Sequence, residues 1–132
     1  MKQTFKILIV DDDADDREIV RDAFAALETE FEYVFLENGD MLIAHLKNED
    51  PAASSLILLD LNMPGKDGRE ALKEIKSDSS LRHIPVIIFT TSSSPRDKQA
   101  AYDLGANCFV TKPDTFNKLT EMANSISKLW LQ

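Results

Sequence analysis

Apolar and branched residues fall along the chain in five short runs: Phe5–Val10, Tyr33–Leu36, Leu56–Leu59, Pro85–Phe89 and Asn107–Val110. Their starts lie about 20–30 residues apart. The runs Ile7–Val10, Leu56–Leu59 and Val86–Phe89 are continuously apolar, as parallel strands buried on both faces are, rather than alternating as strands with one wet face do. The intervening segments carry helix punctuation. Asp13 is placed to cap a helix beginning at Ala14, with Asp16 in its first turn. Asn38-Gly39-Asp40 precedes a helix to about Lys47, closed by Asp50-Pro51, and Asp67 caps a third to about Lys76. Ser94-Pro95 opens a fourth that Gly105 ends, and Asp114 or Thr115 opens the fifth. Five repeats of strand then helix predict an α/β fold, a parallel sheet with helices on both faces. The periodicity leaves the strand order open.

The 132 residues fit one domain, spanning 1–132, with a sizeable core and no room for a separate output domain. No apolar run approaches the ~20 residues of a membrane span. The first residues run directly into a strand without a signal peptide, and the single Cys108 has no intramolecular disulfide partner. Both features predict a cytoplasmic protein. Charge is uneven: residues 1–50 hold 14 acids and 5 bases, whereas residues 51–132 hold 9 acids and 10 bases. Five of the six residues 11–16 are Asp. A chain of net charge −8 without a basic cluster is a poor ligand for a phosphate backbone, so DNA binding is disfavoured.

In parallel sheets ligands sit beyond the carboxyl ends of the strands. There the first strand delivers Asp11-Asp12-Asp13, the third Asp60, the fourth Thr90-Thr91 and the fifth Lys112-Pro113. A lone Asp after a strand is commonly a turn or cap residue, and Asp15 and Asp16 read as favourable charges near a helix N-terminus. The constellation is different. Carboxylates gathered at one sheet edge repel each other, and a bound cation compensates them. With only oxygen ligands that cation is hard, Mg²⁺ or Mn²⁺.

The stretches Ile7 to Asp13, Leu58 to Gly68, Ile84 to Thr91 and Gly105 to Pro113 resemble the receiver domain of bacterial response regulators. The resemblance covers residues 5–130 and rests on an acid pair, an Asp in a Leu-Asp-x-x-Met-Pro-Gly-x-Asp-Gly loop, a Thr and a Lys-Pro, in that order. It implies a flavodoxin-like, doubly wound sheet of five strands in order 2-1-3-4-5 with five helices. It further implies a phosphoacceptor at Asp60 and Mg²⁺ held by Asp11, Asp12, Asp60 and the backbone carbonyl of Asn62. Thr90 would hydrogen-bond the phosphoryl group and Lys112 would pair with it. Phe109 stands where the family keeps an aromatic switch residue, and the Lys112–Pro113 peptide is typically cis. Ser92 and Asn62 occupy positions that, in the family the chain resembles, influence dephosphorylation rate. The chemistry agrees with these roles: an ordinary Asp carboxylate, with pKa ~3.9, is an ionised nucleophile at neutral pH. Such transfer then needs charge neutralisation and in-line positioning rather than a general base.

The implied partners are a sensor histidine kinase or phosphotransfer protein and a downstream protein target. Short regulators ending in a long, Trp-containing helix also occur beside phytochrome-type kinases. The chain is then a signalling phosphoacceptor rather than an enzyme. Two other functions compete. A Mg²⁺-dependent aspartyl-phosphate phosphatase usually carries a second Asp two residues after its nucleophile, where this chain has Asn62. A receiver-like module that is never phosphorylated has no need of Asp11, Asp12, Asp60, Thr90 and Lys112 together. His45 and His83 read as surface or packing residues, Cys108 as a small buried hydrophobe, and Ser92–Ser94 as a polar loop. On the fifth helix Phe116, Leu119, Met122, Ala123, Ile126, Leu129 and Trp130 recur at helical spacing. The part from Phe116 to Ile126 is expected to pack on the sheet. Leu129, Trp130 and Leu131 are expected beyond its cover, available to a homodimer through helices four and five.

Overall fold

A computed structural model describes residues 4–131. Strands β1 (Phe5–Val10), β2 (Phe31–Leu36), β3 (Leu56–Leu59), β4 (Val86–Thr90) and β5 (Cys108–Thr111) alternate with helices. These are α1 (Ala14–Ala25), α2 (Gly39–Lys47), α3 (Gly68–Ser77), α4 (Pro95–Asp103) and α5 (Phe116–Trp130). The strands form one parallel sheet in the order β2-β1-β3-β4-β5. This is the flavodoxin-like, doubly wound arrangement.

Because side chains alternate across a strand, the sheet divides its apolar residues between two cores. Leu8, Val10, Ile57, Leu59, Val86 and Ile88 face α2, α3 and α4. Ile7, Ile9, Leu56, Leu58, Ile87 and Phe89 face α1 and α5. The central strands β3 and β4 are buried throughout, as their unbroken apolar runs predict. The helix starts follow the expected caps: Asp13, Asn38, Asp67 and Ser94 each accept a backbone N–H of the first turn. Of the two residues weighed for the fifth helix, Thr115 is the cap, its hydroxyl accepting the Lys118 N–H.

Three strands shift their bounds. Strand β2 begins at Phe31 rather than Tyr33, because Phe31 pairs with Phe5 and sets its ring edge-on to Phe24. Strand β4 runs to Thr90, which pairs with Thr111 on β5. Strand β5 starts at Cys108, since the Asn107 side chain is committed to the Val86 N–H and the Lys76 ammonium.

The end of α5 also departs from expectation. Leu131 is buried, because the backbone leaves the helix at this residue and its side chain joins the core of α1 and α5. Trp130 is half-buried against the same core, and Leu129 alone of the three is open, at 76% exposure. Conversely Phe116, expected in the core, is 49% exposed, being the first residue of a helix that starts at the carboxyl edge of the sheet.

Candidate functional site

The carboxyl edge is built by register. Val10 pairs with Leu59, and the Asp60 N–H donates to the Val10 carbonyl at 3.0 Å, so Asp11 and Asp60 emerge side by side from neighbouring strands. Both are buried, at 4% and 7% exposure, whereas Asp12 is exposed. Carboxylate oxygens of Asp11, Asp12 and Asp60 lie within 4.8 Å of one another. The loop that follows Asp60 returns tightly: a Cβ on Gly68 would lie 2.1 Å from the Asp60 carbonyl oxygen, so a side chain there would push this strand end aside. The Gly68 N–H donates to the Leu61 carbonyl at 3.0 Å, and Asp67 caps α3 from the same turn.

Lys112 enters from the far side of the sheet. Its backbone N–H donates to the Thr90 carbonyl at 2.7 Å, and its ammonium lies 5.8 Å from the centre of the Phe89 ring. The ammonium donates to Asp11 Oδ2 at 2.6 Å, Asp16 Oδ2 at 3.0 Å and Asp60 Oδ2 at 3.3 Å. Burial alone would lower the Lys112 pKa; hydrogen bonds to Asp11 and Asp16 and the fields of Asp60 and Asp11 reverse this and hold it above the ordinary 10.5. A raised lysine contributes stability that is complete below the unfolded value of 10.5 and is lost as pH rises through the folded one. Burial also pushes the Asp11 carboxyl above its ordinary 3.8, against the hydrogen bonds it accepts from Lys112 and the Asp13 N–H. The site therefore holds crowded negative charge that one ammonium only partly offsets.

Thr90 is fully buried, and its hydroxyl oxygen accepts the Ser92 N–H at 3.4 Å. Ser92 is more than a loop residue: its hydroxyl donates to Asp97 at 2.7 Å, and Asp97 also accepts from Arg69 at 3.2 Å, tying the β4–α4 turn to α4 and α3. Phe109 is half-buried against the core of α2, α3 and α4, and its N–H donates to the Tyr102 hydroxyl at 3.1 Å. Asn62 is exposed two residues beyond Asp60, and the Lys112–Pro113 peptide is trans, not cis. Cys108 is half-buried, His83 is exposed, and His45 lies 2.9 Å from Glu49.

Two residues join the site without having been singled out by sequence. Asp16, read as a helix-terminus charge, reaches Lys112; Arg17 donates to the Asp11 carbonyl at 2.6 Å and so braces the β1–α1 turn. Nothing local separates Asp16 from the neighbouring Asp15. The difference lies in which side of α1 faces β5.

Compared with known families, residues 7–124 match the response regulator receiver domain. The chain belongs to this family. As a receiver domain it is a module of two-component signalling. It is 38% identical over 130 residues to response regulator Rcp1 of Synechocystis sp., a match covering 96% of this chain and 88% of Rcp1. Among solved structures, the phosphorylated cyanobacterial phytochrome response regulator RcpA superposes with a TM-score of 0.90 at 37% identity, over 98% of this chain and 96% of RcpA. The Mn²⁺-bound form of Rcp1 superposes with a TM-score of 0.84 at 37% identity, over 97% and 95% of the two chains. The clustered carboxylates of this receiver fit divalent metal binding.

Proposed function

We propose that Asp60 is the phosphoacceptor, taking a phosphoryl group from a histidine kinase or phosphotransfer protein. Asp11, Asp12, Asp60 and the Asn62 backbone carbonyl would hold Mg²⁺, or Mn²⁺, beside it. The observation that carries this reading is convergence: acids from two neighbouring strand ends lie within 4.8 Å, and a lysine from a third strand end bonds both Asp11 and Asp60. Asp60 attacks the phosphorus through a carboxylate oxygen. An O–P bond forms as the P–N bond of the donor phosphohistidine breaks; the imidazole nitrogen leaves with the bonding electron pair, and the donor ring keeps the proton on its other nitrogen as a neutral imidazole. A divalent ion, when bound by these carboxylates, would neutralise phosphoryl charge. Lys112 supplies a point charge from the other side, and the Thr90 hydroxyl turns from the Ser92 N–H to donate to a phosphoryl oxygen. Thr90 shifts away from β5, and Phe109 moves into the space it leaves, a packing change with two discrete arrangements. Hydrolysis of the acyl phosphate ends the signal, so the chain has phosphotransfer and dephosphorylation chemistry without turning over a metabolite. RcpA is described as a phytochrome response regulator, and by that likeness the donor here is a phytochrome-type sensor kinase.

Labelling with phosphoramidate in the presence of Mg²⁺ separates the competing functions. A receiver takes up one phosphoryl group per chain; a phosphatase consumes donor continuously; an inert module does neither. Asn62, where such phosphatases carry their second Asp, favours the receiver.

Mg²⁺ is expected to stabilise the fold, because cation binding to the native state relieves the crowding of Asp11, Asp12 and Asp60. At 10–100 times Kd the gain is about 1.4–2.7 kcal/mol, or several degrees in Tm. Thermal melts with and without millimolar Mg²⁺ measure it. The Asp12→Ala variant should lose most of the shift; an equal shift in that variant would count against the ligand set.

The site works within a single receiver domain, and its place of action in this reading is the cytoplasm. No helix among the described residues is long and apolar enough to cross a membrane. Its output surface is the face of α4, β5 and α5, next to Phe109, and its target is a protein rather than DNA. Exposed Tyr102 on α4 and Leu129 on α5 support a homodimer through these helices. Trp130, being half-buried, is a poor probe. Sedimentation of wild-type and Leu129→Ser proteins, each with and without phosphoryl donor, should show dimer only in phosphorylated wild type. A monomer under every condition leaves the surface to a different protein.

A further inference from the structure

All three N–H donors of the Lys112 ammonium have carboxylate partners: Asp11, Asp16 and Asp60, at 2.6, 3.0 and 3.3 Å. Asp11 and Asp60 belong to the proposed metal-ligand set, and Asp60 is the proposed acceptor. Asp16 belongs to neither. It lies outside the carboxylates gathered within 4.8 Å, is 40% exposed, and reaches the site only through the lysine.

We infer that Asp16 is a positioning residue that competes with the phosphoryl group for Lys112 and so sets how tightly the acceptor site holds phosphoryl charge. The inference rests on the reading that Lys112 pairs with a phosphoryl group on Asp60. Phosphorylation replaces one carboxylate charge with a dianion whose oxygens extend further from the strand. To meet them, the ammonium must give up or share its bond to Asp16. Two effects then act in one direction: Asp16 keeps a share of the ammonium, and its own charge repels the incoming group.

The opposite expectation, that Asp16 helps by holding Lys112 in place, is weaker. The lysine is already positioned by its backbone bond to Thr90 at 2.7 Å and by the Phe89 ring, and its side chain is only 13% exposed. A stem fixed in this way gains little further order from one half-exposed carboxylate.

Asp15 provides the control. It occupies the same first turn of α1 and carries the same charge, but it is exposed, and its carboxylate has no ion pair among the described residues. The probe is beryllofluoride, a phosphoryl mimic, titrated calorimetrically into the full chain at saturating Mg²⁺ so that metal affinity does not enter. Asp16→Asn is expected to bind it about two- to fivefold tighter than wild type, the range for releasing a half-exposed ion-pair partner, and Asp15→Asn less than about twofold. Lys112→Ala should weaken binding, and in that background the gain from Asp16→Asn should shrink to what relief of direct repulsion alone supplies.

Equal effects of Asp16→Asn and Asp15→Asn in the presence of Lys112, or weaker binding by Asp16→Asn, would overturn the inference while leaving the role of Lys112 standing. Unchanged affinity in Lys112→Ala would instead overturn the reading of Lys112 on which the inference rests. A shared thermal-melt comparison identifies any variant whose fold is altered; Asp16, half-exposed on a helix, is not part of either core.

Discussion

The Asp60→Asn variant is expected to fold normally and to take up no phosphoryl group. Asn is nearly isosteric with Asp, and the backbone N–H of this residue keeps its 3.0 Å bond to the Val10 carbonyl, so the strand end stays where it is. The amide lacks an ionised oxygen to serve as the nucleophile. Labelling from a small-molecule donor or a kinase should therefore fall to background. Stability should not fall with it. Asp60 is buried beside Asp11 and within 4.8 Å of both other acids, and removing one of three like charges relieves repulsion worth on the order of 1 kcal/mol. Urea unfolding checks this half of the prediction, and Mg²⁺ stabilisation should shrink in the same variant, since a ligand has been lost. Stoichiometric labelling of Asp60→Asn would sink the assignment.

The second large effect belongs to Lys112→Ala, which separates stability from metal binding. Lys112 is the ammonium bonded to the buried Asp11 and Asp60. Breaking a fully buried pair costs ~3–5 kcal/mol because the remaining charge is stranded. This site opens to solvent at Asp12 and Asp16, which reduces the expected loss to roughly 2–3 kcal/mol. Millimolar Mg²⁺ should restore much of it, because the same carboxylates bind a cation without competition from the ammonium. The variant is thus expected to be unstable without Mg²⁺, to bind Mg²⁺ at least as tightly as wild type, and to lack the phosphorylation-dependent rearrangement of Thr90 and Phe109. Denaturation with and without Mg²⁺ tests the first two points. A normal conformational change on phosphorylation would contradict the role given to Lys112.

The features that sequence conveys well here are local ones. Unbroken apolar runs mark the buried central strands, and each helix is announced by a side chain that caps its own first turn. Chain-order chemistry at strand ends was equally legible: Asp11, Asp12, Asp60 and Lys112 do converge. What stayed hidden depends on distant packing. Asp15 and Asp16 are alike by composition, and only the orientation of α1 against a strand end 96 residues away makes Asp16 a partner of Lys112. The exposure of Phe116 and the burial of Leu131 depend on where the sheet stops relative to α5, which helical spacing does not encode. The early start of β2 has a similar cause: its mixed pattern reflects an edge strand, and pairing with β1 rather than apolar continuity sets its first residue.

The account stands most directly on which side chain carries the phosphoryl group. Wild-type protein incubated with phosphoramidate and Mg²⁺, then reduced with borohydride, converts an aspartyl phosphate to homoserine, which peptide mass spectrometry locates. The expected result is homoserine at one position, in the peptide spanning Asp60, and none when Mg²⁺ is chelated. Homoserine at Asp11, Asp12 or any other acid, or at no position despite Mg²⁺, would contradict the account.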